Sequence, residues 1–135
     1  MVPIICIYAG GVLSLLMALF HTRFYNMFNW KIDFEKLSVA NSRILYTIHI
    51  ALLLLFFIIG VISIIYAREL SQSIGLAAGL NFLLSIFWLW RFIWQLIYFK
   101  RGKGQKLPLI IVFLSVVFAL LFASYFIPLT YRFLS

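Results

Sequence analysis

Five side chains offer chemistry in an otherwise apolar chain: His21, His49, Trp88, Arg91 and Gln95. Arginine stays charged at any accessible pH and its planar fork suits bidentate pairing with an anion. Arg91 therefore fits a lipid phosphate or a haem propionate. Imidazole either bonds between helices or ligates iron. On a helix turning ~100° per residue, Asn81, Ser85, Trp88, Arg91 and Gln95 share roughly one third of the circumference. That stripe should face protein, because Asn and Gln cost free energy against lipid tails.

Each candidate also has a purely structural explanation. Arg91 stands nine residues before the basic run that begins at Lys100, about 13 Å along a helix at 1.5 Å per residue. Its long side chain can snorkel to the headgroups or stack on Trp88, Trp90 or Trp94 as a cation–π anchor. His49 can serve as an interhelical hydrogen bond and His21 as an interfacial residue. The sharper alternative has both histidines ligating one haem b iron, as facing helices do in membrane cytochromes.

The elements that must position these residues follow from composition. Of 135 residues, 66% are hydrophobic and 10% charged, too apolar for a soluble surface. The fold class is all-α, a polytopic membrane protein with a four-transmembrane-helix bundle forming one domain, residues 1–135. A bilayer core of ~30 Å needs about 20 apolar residues per helix. The expected spans are residues 2–24, 44–66, 74–99 and 107–133, with an interfacial amphipathic loop over 25–43. The first run lacks a basic n-region and a small-residue cleavage site, so it reads as a retained helix. Ser38 or Asn41 is placed to cap the second span, and Ser71 or Ser73 the third. Pro108 suits the first turn of the fourth, whereas Pro128 should bend or end it.

Formal charge is +8. Its distribution beside apolar spans points to anionic lipid headgroups and away from nucleic acid. Arg23, Lys31, Lys36, Arg43, Lys100, Arg101, Lys103 and Lys106 lie in the loops after the first and third spans, against Arg68 and Arg132 on the other side. The positive-inside rule then puts both basic loops in the cytoplasm and both termini outside. With helices alternating in direction, the two histidines, Arg91 and Gln95 share one leaflet.

Packing faces are also legible. Gly10, Ser14, Ala18 and His21 line one side of the first span; Ser42, His49, Phe56, Gly60 and Ser63 line the second; Ser115, Ala119 and Ala123 line the fourth. Small residues at such spacing let helices approach closely, within the monomer or in a homo-oligomer. "GGVLSLLMALFHTRF" also echoes "AGLNFLLSIFWLWRF", as duplication of a helical hairpin would produce.

Several classes are disfavoured. The acids are Asp33, Glu35 and Glu69, all in loops, so proton antiport through an intramembrane carboxylate lacks its central residue. The single cysteine, Cys6, rules out an intrachain disulfide or a CxxC pair. No Gly-rich phosphate loop, HExxH or nucleophile elbow occurs. Catalysis would have to rest on His21, His49, Arg91 and Tyr46.

The segments "LFHTRFYNMFNW", "LSVANSRI", "IGVISIIYAREL" and "FWLWRFIWQLIYF" resemble a group of small four-span bacterial membrane proteins without an assigned activity. The resemblance spans roughly the first three helices and implies a bacterial inner (cytoplasmic) membrane. The expected function is a non-catalytic binding or accessory protein. Its cytoplasmic-leaflet site, formed by His49, Arg91, Gln95, Trp88 and His21, would take a lipid or other amphipathic anion. The alternatives are a haem- or quinone-binding redox protein and a small membrane enzyme.

Overall fold

The computed structural model describes residues 1–99 and 108–134, and over them the chain is helical with no strand. Four helices are long and apolar enough to cross a membrane: α1 (Val2–His21), α4 (Val39–Ile65), α6 (Leu76–Tyr98) and α7 (Leu109–Leu134). Three short helices join them: α2 (Phe24–Met27), α3 (Trp30–Glu35) and α5 (Ala67–Gln72). The protein is a multi-pass membrane protein built as an all-α bundle. The basic turn expected over 100–106 lies outside the described residues.

The helix ends differ from expectation where polar chemistry extends or interrupts the apolar runs. α4 begins at Val39, five residues ahead of the apolar stretch, because the Ser38 hydroxyl accepts from the Asn41 N–H at 3.2 Å. Capping satisfies an orphan donor and lets the helix start in the polar interface. At 27 residues α4 is ~40 Å long, longer than the hydrocarbon core. Ser71 and Ser73 do not cap α6. Their hydroxyls donate back to the Arg68 and Leu70 carbonyls and finish α5 instead. The chain then turns through Gly75, whose φ of 54° and ψ of −123° suit a residue without Cβ. Pro128 does not end the fourth span. α7 runs on to Leu134 with Pro128 buried, since packed neighbours sustain a helix that lacks one backbone donor. Pro108 stands just ahead of α7, and its carbonyl accepts from the Ile111 and Val112 N–H groups.

α1 sits at the centre, packed against α4 on one side and α7 on the other, with α6 against α7. Two glycines set the α1–α4 approach. A Cβ at Gly60 would lie 2.9 Å from the Gly11 carbonyl oxygen, and one at Gly11 would lie 3.1 Å from the Ser63 Cβ. Gly10 does the same towards α7, where its Cβ would meet Ser124 and Tyr125 at 3.0 Å. Tyr125 spans the bundle, its buried hydroxyl 2.8 Å from the Ser63 hydroxyl. The face of α7 that packs is Val117, Phe118, Leu121, Ser124 and Tyr125; Ser115, Ala119 and Ala123 are only half-buried beside it. Volume at the centre comes from large side chains, so the small-residue stripe misplaced this face.

α4 and α6 do not form a close pair. A twofold repeat of the α1–α4 and α6–α7 hairpins would match the α1–α7 contact with one between α4 and α6, and there the bundle departs from that symmetry. Phe56 and Trp88 bridge the seam with rings 5.4 Å apart. Away from that bridge the seam holds open space.

Candidate functional site

A cavity of about 780 Å³ lies at the end of the bundle where α1 and α6 finish. α1 contributes Met17 and His21, α4 Leu52 and Phe56, and α7 Leu114 and Phe118. α6 contributes Phe87, Trp90, Arg91 and Gln95, while Phe24, Phe28 and Trp30 cover it from the segment after α1. The size suits one small or single-chain ligand, and the few polar groups among apolar walls match the usual make-up of a binding site.

The stripe on α6 builds the polar wall. Asn81, Ser85, Trp88 and Gln95 are all buried, and Arg91 is half-buried among them. The Arg91 guanidinium carbon sits 4.7 Å from the centre of the Phe118 ring, and its Nη1 donates to Gln95 Oε1 at 3.4 Å. Arginine only donates, so the Gln95 oxygen must face it and the Gln95 NH2 is directed elsewhere. Arg91 lies seven residues before the end of α6, ~10 Å along its axis. Among the described residues it has no carboxylate partner. Asp33 pairs with Lys36 on α3, Glu35 is exposed there, and Glu69 is on α5 at the other end. A guanidinium in this setting keeps unspent capacity to bind an anion.

Trp88 forms the floor behind that wall. It is fully buried, with Phe56 on one face and Phe118 on the other at 5.4 and 5.8 Å between ring centres. Its indole N–H has no hydrogen-bond partner among the described residues. The expectation that Trp88 would line the cavity is thus corrected: its neighbours Phe56, Phe87 and Phe118 form the surface instead.

His21 lines the cavity and His49 does not. His21 Nδ1 is 2.9 Å from the Met17 carbonyl oxygen. A carbonyl only accepts, so Nδ1 carries the hydrogen and, in the neutral ring, Nε2 keeps its lone pair. The two imidazoles stack, with centres 5.5 Å apart and planes 19° from parallel. Phe24 packs on both, at 4.3 Å from His21 and 5.8 Å from His49, and Trp30 meets His49 edge-on at 4.7 Å. Two axial ligands of one haem must oppose each other across a porphyrin. These rings stack on one another across the closely packed α1 and α4, flanked by aromatic rings, and that arrangement does not fit a porphyrin between them. Among the described residues no cluster of three or more His, Cys, Asp or Glu is placed to hold a metal ion.

The structure therefore brings His21, Arg91 and Gln95 to one cavity and sets Trp88 and His49 behind its walls. Sequence reasoning missed three contributors. Phe118, beneath the guanidinium, is one of 15 phenylalanines and carries no distinguishing signal. Phe24, at the end of the expected first span, and Trp30, in the expected interfacial loop, pack over the histidines, a contact between residues of different segments that hydropathy does not register. Neither the family models, nor the curated proteins, nor the solved structures compared with this chain include a match.

Proposed function

We propose that this chain is a non-catalytic binding or accessory protein of a bacterial inner membrane, with both termini outside, that holds an amphipathic anionic ligand in the cytoplasmic half of its bundle. The observation that carries the reading is Arg91: a half-buried guanidinium, stacked on Phe118 and without a carboxylate partner among the described residues, in the wall of a largely apolar cavity. Desolvating a charge is costly unless it is paired. A bound anion supplies that pairing, and apolar walls take its tail. In the sequence, eight of the eleven Lys and Arg fall in the two stretches that follow the first and third spans, which favours gathering anions at that end.

Native mass spectrometry of gently purified protein tests the reading. An anionic small molecule or lipid should leave with wild-type protein, should be lost from Arg91→Ala, and should be partly retained by Arg91→Lys. If Arg91→Ala and His21→Ala keep both the fold and the bound molecule, the site is wrongly assigned. A visible absorption band in the same preparation would favour a redox protein instead.

A further inference from the structure

The cavity, taken as the ligand site proposed above, also limits which anion it can hold. We infer that its occupant is a single-chain carboxylate, a long-chain fatty acid in chemical class, with the carboxylate on Arg91 and the chain against the aromatic and aliphatic walls.

Charge is the first restriction. Among the described residues, the cavity wall holds one permanent positive charge, Arg91, and no acid. A monoanion there leaves a neutral pair, whereas a phosphate monoester brings nearly two charges and leaves one unmatched in a poorly solvated space. Hydrogen bonding is the second restriction. The guanidinium fork matches the two oxygens of a carboxylate, and Gln95 Oε1, by accepting from Nη1, helps hold that fork in place. A phosphodiester lipid would bring phosphate, ester and glycerol oxygens together, more acceptors than Arg91 and Gln95 can satisfy, and each unsatisfied buried one is costly. Shape is the third. The polar groups are few, and the remaining surface consists of side chains such as Met17, Leu52, Phe87 and Leu114, so a chain and not a large headgroup fills the volume. At about 780 Å³ the space suits one chain better than two. The unpacked α4–α6 seam gives that chain a side route from the bilayer.

The test is competitive binding to full-length protein in a neutral detergent, with four defined probes: oleate, oleyl alcohol, oleyl phosphate and a dioleoyl phosphatidylglycerol. Oleate should bind at least about tenfold more tightly than each of the others. Arg91→Gln should erase the preference for oleate over oleyl alcohol. Gln95→Leu should weaken oleate about threefold to tenfold and leave the alcohol unchanged. Thermal melting of each variant separates lost binding from lost folding, and Arg91→Lys provides a charged substitute should Arg91→Gln not fold. If phosphatidylglycerol or oleyl phosphate binds as tightly as oleate and depends on Arg91, the carboxylate assignment fails and the anion site survives. If the alcohol equals oleate in wild-type protein, or no probe depends on Arg91, both fail.

Discussion

Replacing Gly60 by alanine tests the closest helix contact in the bundle. The new Cβ would lie 2.6 Å from Leu15 Cγ, 2.7 Å from Leu15 Cδ2 and 2.9 Å from the Gly11 carbonyl oxygen. Leu15 is a flexible side chain and can rotate away. The Gly11 carbonyl is helical backbone and cannot. Relief requires α1 and α4 to separate by several tenths of an ångström along a contact that also includes Gly11 against Ser63. Overpacking of this kind costs about 1–3 kcal/mol, against a gain of roughly 0.5–1 kcal/mol from replacing glycine within a helix. The net expectation is a loss of about 1–2 kcal/mol. Gly79→Ala is the internal control, since it lies within α6 and nothing stands within 4 Å of a Cβ there. It should be neutral or stabilising by up to ~1 kcal/mol. Reversible SDS unfolding followed by circular dichroism reads both variants. Equal stability of Gly60→Ala and Gly79→Ala would refute close α1–α4 packing as a determinant of this fold.

Three further outcomes are expected. Tyr125→Phe leaves the buried Ser63 hydroxyl without its partner, and should cost about 1–2 kcal/mol; a double-mutant cycle with Ser63→Ala should recover a coupling of roughly 0.6–1.7 kcal/mol, and additive single effects would show that the 2.8 Å bond is energetically silent. Trp30→Ala uncovers His49, so ethoxycarbonylation of the histidines should quicken severalfold, with unchanged rates counting against the aromatic cover. Reporter fusions at Ser135 should be active outside the cytoplasm and those in the 25–43 segment inside it; the reverse pattern would overturn the orientation read from the basic loops.

What the sequence determined by itself was the number and type of long elements, together with much of what faces inward. Apolar runs long enough to span a bilayer require helices, and a polar residue among them must turn from lipid. That argument placed Asn81, Ser85, Trp88 and Gln95 on one buried face and Gly10, Ser14, Ala18 and His21 on another, as they are found. It faltered at the ends, because capping and turn geometry at Ser38, Ser73 and Gly75 depend on local bonds that hydropathy does not register. On α7, periodicity favoured Ser115, Ala119 and Ala123, and the packed face proved to be Phe118, Leu121, Ser124 and Tyr125, with Gly10 of α1 leaving room for the Tyr125 ring. Only the tertiary structure decided which neighbours the helices take. α1 separates α4 from most of α7, and the α4–α6 seam is left for side chains to fill. That arrangement turns Arg91 onto Phe118, moves Trp88 and His49 behind the walls, and stacks the two imidazoles. Spacing along one helix fixes which residues share a face. Whether two faces meet or leave a cavity between them depends on the size of side chains far apart in the chain, and that is settled only when all four helices pack.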